Sequence, residues 1–503
     1  MIQKIVQKSN FCTIFVGYII HALIDYTIMT LQDMVNAVSG VLTDYVMVTV
    51  LLIAALFFTF ITRGVQFRMI GEMCRLLVKS GKRDNDRRKN DEPSHGTISS
   101  FQAFALSIAS RVGTGNLAGV ATAIALGGPG AVFWMWIIAL LGASSAFVES
   151  TLAQLFKVKG EKSFMGGPAY YIQKGLHKRW WAVTFAILIT LTFGFAFNSV
   201  QSNTVSDAFN ACFSFPKEWM AIILTLLTIV VIWGGVQRVS RFSEIVVPVM
   251  AIAYILLAIV IIIMNITRIP EIFAMIFENA FGVNQALGGT LGAAIIMGVK
   301  RGLFSNEAGE GSTPDAAATA SVTHPVKQGL IQALGVYTDT MLVCTSTAFI
   351  ILCSGIFIEG HDGIVLTQQA IDAELGGGHQ FGSIFVSIAI FFFAFTSIIA
   401  NYYYGETNIR FIYNREWIIK VYRVLVAAVV YVGCITTLDL VWGFADITMA
   451  LMTLCNLGAI FMLGRYAVIL LKDYITQRKA GKDPVYSSNT IPEIANETEC
   501  WNN

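Results

Sequence analysis

Two stretches of this chain place polar and glycine residues inside long apolar runs. The first is Ser110-Arg111-Val112-Gly113-Thr114-Gly115-Asn116, followed by Gly119. The second is Gly298-Val299-Lys300-Arg301-Gly302-Leu303-Phe304-Ser305-Asn306-Glu307-Ala308-Gly309-Glu310-Gly311-Ser312, then Pro314. Glycine permits the dihedrals that unwind a helix. Unwinding strips amide N–H and C=O groups of their intrahelical partners, and in lipid each bare group is costly. Amides at a half-helix N-terminus suit a carboxylate, and bare carbonyls suit a desolvated Na+. A lone glycine pair would more simply mark close helix packing. Two polar breaks favour a binding site.

Bond-making chemistry has little to work with. Ser312 lies in Gly309-Glu310-Gly311-Ser312, but no histidine accompanies it in that helix. The eight cysteines include no C-x-x-C pair, and the six histidines lack ligand spacing, so a zinc site or disulfide framework is not expected. The reading is therefore not an enzyme. No cofactor and no transition metal are expected, and Na+ enters only as a coupling ion.

The elements that hold these stretches are membrane helices. Of 503 residues, 55% are hydrophobic and only 13% charged, against about 25% charged in soluble domains. Mean hydropathy is +0.66. Many apolar runs reach the roughly 20 residues that cross a bilayer. Strand-like alternation is absent, so helices remain. The firm spans are expected near Tyr45–Thr62, Phe101–Leu126, Ala131–Phe156, Trp180–Phe209, Trp219–Trp233, Ile245–Met264, Leu287–Ala320, Leu330–Cys353, Phe381–Tyr404, Trp417–Thr436 and Trp442–Leu471. Residues 1–33 form a leader of open status: Phe11–Ile24 is apolar but interrupted by His21 and Asp25.

Lysine and arginine set the orientation. Arg63–Ser100 holds nine of them, and Lys157–Arg179, Arg238 with Arg241, Lys327, Arg410 with Arg415, and the tail after Leu471 continue the series. Phe357–Gln380 and Thr437–Val441 hold none. The basic connections and the C-terminus are thus expected in the cytoplasm of a multi-pass plasma-membrane protein, the inner membrane if bacterial. With the first span set aside, ten core helices remain, five from Phe101 to Met264 and five from Leu287 to Leu471. An odd number per unit starts the second on the opposite side, the footprint of an inverted repeat. The units read as 34–99 (extra helix and basic loop), 100–265 (first repeat), 284–472 (second repeat) and 473–503 (cytoplasmic tail).

These stretches together resemble the alanine or glycine:cation symporter family, often called sodium:alanine symporters. The likeness lies in Ser100–Gly142, with its GGPGAVFWMWIIALLG signature, in FVESTLAQLFK around Glu149, in GGPAYYIQKGL from Gly166, in GVKRGLFSNEAGEGSTP from Gly298 and in FAFTSIIANYYYGE from Phe393. It runs from about Asp33 to the last helix. The resemblance implies an all-α integral membrane protein of leucine-transporter type. That is a 5+5 inverted repeat with one additional N-terminal helix, or 11 spans. It implies sodium-coupled import of a small neutral amino acid, alanine or glycine first.

By the same resemblance, Thr114, Gly115 and Asn116 meet the substrate carboxylate. Sodium takes the carbonyls of Ala109, Val112 and Phe393 and the hydroxyls of Thr396 and Ser397. The substrate site is further expected to draw on Gln201, Ser305, Asn306 and Asn401; a pocket holding Asn401 and Gln201 leaves serine or glutamine open. The remaining partner is the lipid bilayer; a net charge of +2 gives no sign of nucleic acid, and no obligate protein partner is evident.

Ionisable residues in the spans need partners or water. Arg111, Glu149, Lys300, Arg301, Glu307, Glu310, Asp315, Asp339 and Glu406 are the main ones. Lys300 and Arg301 are expected to pair with nearby acids or face water, Arg111 to pair with Glu307, and Glu149 and Asp339 to satisfy neighbouring helices. Proton coupling through Glu149, Glu307 or Asp339 is the alternative, and a channel is a further one.

Overall fold

The computed structural model describes residues 32–89, 98–160, 163–233, 236–282, 291–358, 363–376 and 380–501. The leader up to residue 31 and the expected start of the sixth core span at 287–290 lie outside them.

The chain is helical almost throughout. Its helices are α1 (Gln32–Ile61), α2 (Ile70–Lys89), α3 (Ser100–Arg111), α4 (Gly115–Gly127), α5 (Gly130–Leu155), α6 (Pro168–Leu176), α7 (Arg179–Phe213), α8 (Lys217–Ile232) and α9 (Val236–Met264). After these come α10 (Ile269–Ala280), α11 (Leu291–Asn306), α12 (Thr313–Ala318), α13 (Pro325–Ser354), α14 (Gly363–Leu375), α15 (Phe381–Ile412), α16 (Glu416–Ile435) and α17 (Leu438–Lys479). One antiparallel ribbon, Val158–Lys159 with Phe164–Met165, precedes α6.

The outer surface is what differs from a protein in water. On α9 the exposed side chains Ile245, Val249, Ile252, Leu256, Ile259 and Ile263 recur at helical spacing, so its outer face is apolar and its natural solvent is lipid. The interior is largely apolar too, with serines, asparagines and carboxylates buried within it. Among the described residues eight helices are long and apolar enough to cross a membrane alone: α1, α5, α7, α9, α13, α15, α16 and α17. Three expected spans are not of this kind. α8 has 16 residues, about 24 Å of rise, and the other two are split into α3 with α4 and α11 with α12.

The element order repeats. Each half opens with a broken helix, continues with a long one (α5, then α13), inserts a short segment (α6, then α14) and closes with three helices. The glycine stretches therefore fall at equivalent places. The short segments α10 and α14 were not expected from the sequence. α1 differs too: Asp44 ended the apolar run in the sequence, yet the helix continues through it from Gln32. Asp44 lies 3.1 Å from Lys300 Nζ on α11, so its charge is compensated.

Ser99 closes the start of α3 as an N-cap. Its hydroxyl accepts the Gln102 N–H, and the Gln102 side chain accepts the Ser99 N–H, a capping box. Just before it, Ile98 pairs with Ala320 in a parallel bridge, and Ser321 N–H meets Ile98 O at 3.0 Å. The entry to α3 is thereby stitched to the exit from α12.

Candidate functional site

The first break follows Arg111. Val112 leaves the helix at φ −79° and ψ 91°, and the chain resumes at Gly115 as a π-helical turn. Two freed amides find side-chain acceptors: Gly113 N–H meets Asn116 Oδ1 at 2.9 Å and Thr114 N–H meets Gln201 Oε1 at 3.0 Å. Glycine is needed here for space. A methyl at Gly113 would lie 2.5 Å from Ser397 Oγ and 2.8 Å from Gln201 Oε1. One at Gly115 would lie 3.1 Å from Ser305 Cα, so the two breaks touch.

The second break spans Glu307 to Ser312 and uses another device. Glu307 (φ 54°), Gly309 (φ 90°) and Gly311 (φ 89°) are all left-handed, a region that glycine tolerates and glutamate does not favour. At the end of α11, Asn306 Oδ1 accepts the Ala308 N–H at 3.0 Å, and its amide donates to Thr340. Glu149 of α5 accepts Gly309 N–H at 3.1 Å and Asn456 Nδ2 at 2.9 Å; Asn456 of α17 also donates to Gly309 O. Tyr171 on α6 donates to Asn456 Oδ1. Two helices outside the break, α5 and α17, thus hold Gly309 by its N–H and its C=O, with Tyr171 of α6 fixing Asn456.

The expected oxygens of the cation site converge. Ser397 Oγ lies 2.8 Å from Ala109 O, 3.0 Å from Phe393 O and 3.4 Å from Val112 O, and Thr396 donates to Phe393 O at 2.8 Å. All five residues are buried. The set carries no formal charge and consists of hard oxygens from α3 and α15, which suits a monovalent alkali cation.

Asp339 is the centre of a second knot. It sits in a π-helical stretch of α13, Thr338–Cys344, a distortion frequent at functional positions. Its Oδ1 accepts Asn116 Nδ2 at 2.5 Å, and its Oδ2 accepts Ser305 at 2.8 Å and Thr340 at 3.0 Å. One carboxylate therefore ties both breaks to α13. The sequence offered Asp339 as a residue satisfying neighbouring helices or, in the alternative, as a proton-coupling group, and not as a link between the breaks; the signal was the polar triplet Thr338-Asp339-Thr340 in an apolar span.

The other intramembrane charges sort by side. Arg111 does not pair with Glu307 as expected. Its guanidinium donates to Gln332 O (3.2 Å) and Thr313 Oγ1 (2.8 Å). The Glu307 oxygens are taken by hydroxyls: Ser110 at 2.6 Å and Ser312 at 2.6 Å. Asn401 Oδ1 is 2.8 Å from that same Ser110 hydroxyl, which places Asn401 beside the second break. Asp315 accepts from Asn408 at 2.7 Å. Glu310 is fully buried, with no hydrogen-bond partner among the described residues.

Toward the loops poor in lysine, Arg301 binds Asp446 through two contacts at 3.1 and 3.3 Å, and Lys300 reaches both Asp44 and Asp446. Arg301 also lies over Trp442, whose ring is 4.6 Å from Phe304; Phe304 in turn is 4.4 Å from Phe197. Glu406 lies at the basic end of α15 with Arg410 and Arg423. Of the expected substrate residues, Thr114, Gly115, Asn116, Gln201 and Ser305 meet in one knot, and Asn306 and Asn401 flank it.

Comparison with known proteins gives the family and the fold. A model of the sodium:alanine symporter family matches residues 28–488. The probable sodium/glutamine symporter GlnT of Bacillus subtilis (strain 168) is 50% identical over 472 residues, covering 94% of this chain and 96% of that protein. The amino-acid carrier protein AlsT of the same strain is 48% identical, covering 94% and 98%. A sodium/proton-dependent alanine carrier protein of Bacillus sp. (strain PS3) is 39% identical, covering 79% and 92%. Among solved structures, MhsT in complex with L-phenylalanine superposes with a TM-score of 0.55 at 13% identity, over 80% of this chain and 92% of that one. The Eremococcus coleocola manganese transporter, bound to an aromatic bis-isothiourea compound, gives 0.51 at 14%, over 74% and 84%. At those identities the likeness is one of fold, the leucine-transporter fold.

Proposed function

The chain belongs to the sodium:alanine symporter family, and from that premise we propose that it is a secondary active symporter that imports a small neutral amino acid by alternating access, driven by sodium. Alanine and glycine are the first substrates to test. Glutamine is the third, since the 50%-identical relative carries it in its name. The observation that carries the sodium reading is the uncharged oxygen set of Ala109, Val112, Phe393, Thr396 and Ser397. It joins the first break to α15, so a bound cation would fasten two elements whose separation would open the site.

In this reading the three split or short helical positions complete eleven crossings, and the C-terminus lies in the cytoplasm. The substrate carboxylate meets Thr114, Gly115 and Asn116 at the N-terminus of α4, where the helix dipole favours an anion. Gln201 and Ser305 position it, and Asn306 and Asn401 shape the pocket for the side chain. No bond is made or broken. The work is differential binding of ion and amino acid to two arrangements of the same helices.

Uptake of radiolabelled alanine, glycine and glutamine into proteoliposomes, with and without an inward Na+ gradient, tests this directly. Accumulation of one of them only with the gradient is the expected outcome. Uptake that ignores sodium but collapses with the pH gradient would establish the second reading, proton coupling. The observation favouring that second reading is Asp339, a buried carboxylate shared by both breaks.

A further inference from the structure

Beyond α17 the tail does not leave the molecule. It folds back as three short 3-10 turns, Ser488–Thr490, Pro492–Glu497 and Glu499–Trp501, and buries Tyr486, Ile491, Ile494 and Thr498. Its contacts flank Ala320, the α12 half of the Ile98–Ala320 seam that closes the basic end of the broken helices, and reach toward the α3 half through Lys79 of α2, where the Ser80 hydroxyl accepts the Phe101 N–H at 2.9 Å. On one side, Tyr486 N–H meets Thr323 O at 2.9 Å, and Thr323 donates back to Pro484 O. Asp483 lies between Lys327 of α13 (2.6 Å) and Lys79 of α2 (3.5 Å). On the other, Trp501 Nε1 donates to Gln154 O at the end of α5, and Glu499 pairs with Lys174 of α6 at 2.6 Å.

Beneath the tail the Ala320 edge of the seam is held by Gln154 and by Lys157. Gln154 Nε2 donates to the carbonyls of Ala317 and Ala320, and Lys157 Nζ donates to Ala320 O at 2.9 Å. The Lys157 ammonium also faces the Trp501 ring, 4.9 Å from its centroid. His324 completes the contact. Its Nδ1 accepts Val326 N–H, so its proton sits on Nε2, facing Asp473 at 3.2 Å, and its ring meets Tyr486 edge-on. Burial pushes His324 down to about 4, so the ring is neutral. The Lys327 ammonium holds Asp483 below the usual carboxylate range.

We propose that residues 483–501 are an autoinhibitory strap: docked, they hold the Ile98–Ala320 seam shut, and they detach before α3 and α12 part toward the cytoplasm. The inference rests on the carrier reading above, in which this end must open in every cycle. A tail that joins α2, α5, α6 and the start of α13 across the seam raises the cost of that opening by every contact it makes. Release of the strap sets the resting rate.

Two measurements test it. In a Cys74→Ser, Cys500→Ser background, Lys174→Cys with Glu499→Cys is bridged by a short reducible bis-methanethiosulfonate. Uptake of labelled alanine, glycine and glutamine is then compared before and after reduction. The bridged protein is expected to fall about tenfold and to recover on reduction, since fastening removes the open arrangement from the population. Equal rates overturn the strap. Separately, Ala103→Cys is placed under the seam, where Ala103 is fully buried beside Ile98 and Ala320. Its labelling by a water-soluble maleimide from the cytoplasmic side is followed in the Cys74→Ser, Cys500→Ser background, with and without Trp501→Ala plus Asp483→Ala. Labelling about fivefold faster in the released tail is expected, and unchanged labelling overturns the proposal. This second readout needs no transported substrate. If the reduced protein carries none of the three amino acids, the carrier reading falls and the labelling still decides the strap.

Discussion

The two breaks occupy equivalent places in the repeat, yet they are built differently. The first is neutral and crowded. Its amides are met by side-chain oxygens of Asn116 and Gln201, and its glycines provide room, with Gly113 lying against Ser397 and Gln201. The second is acidic and twisted. Its backbone turns through three left-handed residues and is held by Glu149 and Asn456 from two other helices. One position in the fold can be opened by close approach or by handedness, and the choice decides what surrounds it. Close approach brings carbonyls and amides of α3, α4 and α15 together, as the proposed recognition of an ion and a zwitterion requires. Handedness frees a peptide that α5 and α17 hold, as a mechanical joint requires.

The contrast is broken most severely by Gly113→Ala. A methyl there meets Ser397 Oγ at 2.5 Å and Gln201 Oε1 at 2.8 Å, and both contacts belong to the proposed ion and substrate groups. Overpacking of this kind costs about 1–3 kcal/mol, so sodium-driven uptake is expected to fall up to about 100-fold. The same strain bears on the folded state, so the melting temperature of the purified protein should fall by about a few degrees as well. A variant that transports normally would show that the first break has slack, and the division of roles would fail.

A smaller effect probes the joint. Glu149→Ala leaves Gly309 N–H without its acceptor in a site closed to water, at a cost of about 1–3 kcal/mol. Thermal unfolding should fall by several degrees, and the transport rate with it. Glu149→Gln keeps an acceptor for Gly309 and is expected to recover most of the stability. Should Gln behave like Ala, the charge of Glu149 matters more than its geometry, and the proton-coupled reading gains.

Much of this architecture is legible in the sequence because polar residues in lipid demand an explanation. Both breaks announce themselves as glycine, serine and asparagine within apolar spans, and the odd number of helices per unit announces the inversion. What resists reading is pairing over long separations. Asp44 looks like the end of a span until Lys300, 256 residues later, is seen beside it. Arg111 has an acid at the other break, which invites a pair, yet Ser110 and Ser312 satisfy Glu307 first and leave Arg111 to Gln332 and Thr313. Asn456 and Tyr171 carry no local signal at all, since each acts only on a peptide of another helix. The short segments α10 and α14 escape because, at 12 and 13 residues, they are shorter than a span, so no length rule finds them. The cation oxygens follow from resemblance alone; carbonyls leave no trace in side-chain identity.

The mildest change sharpens the comparison most. Thr396→Ala removes one neutral oxygen from the proposed ion site while leaving both breaks and every ion pair in place. In the structure that hydroxyl donates to Phe393 O at 2.8 Å, a bond within α15 that its helix does not need. Losing one of five ligands, each exchanging against water, is expected to weaken sodium about five- to tenfold, equivalent to roughly 1 kcal/mol. The rate at saturating sodium should stay near that of the unmodified protein. The decisive plot is uptake against sodium concentration at fixed amino acid. A rightward shift with an unchanged plateau places Thr396 on the ion and keeps recognition at the first break, whereas superimposable curves remove Thr396 from the site. A lowered plateau with unchanged half-saturation would assign α15 to the moving machinery, and the separation between recognition and joint would have to be redrawn.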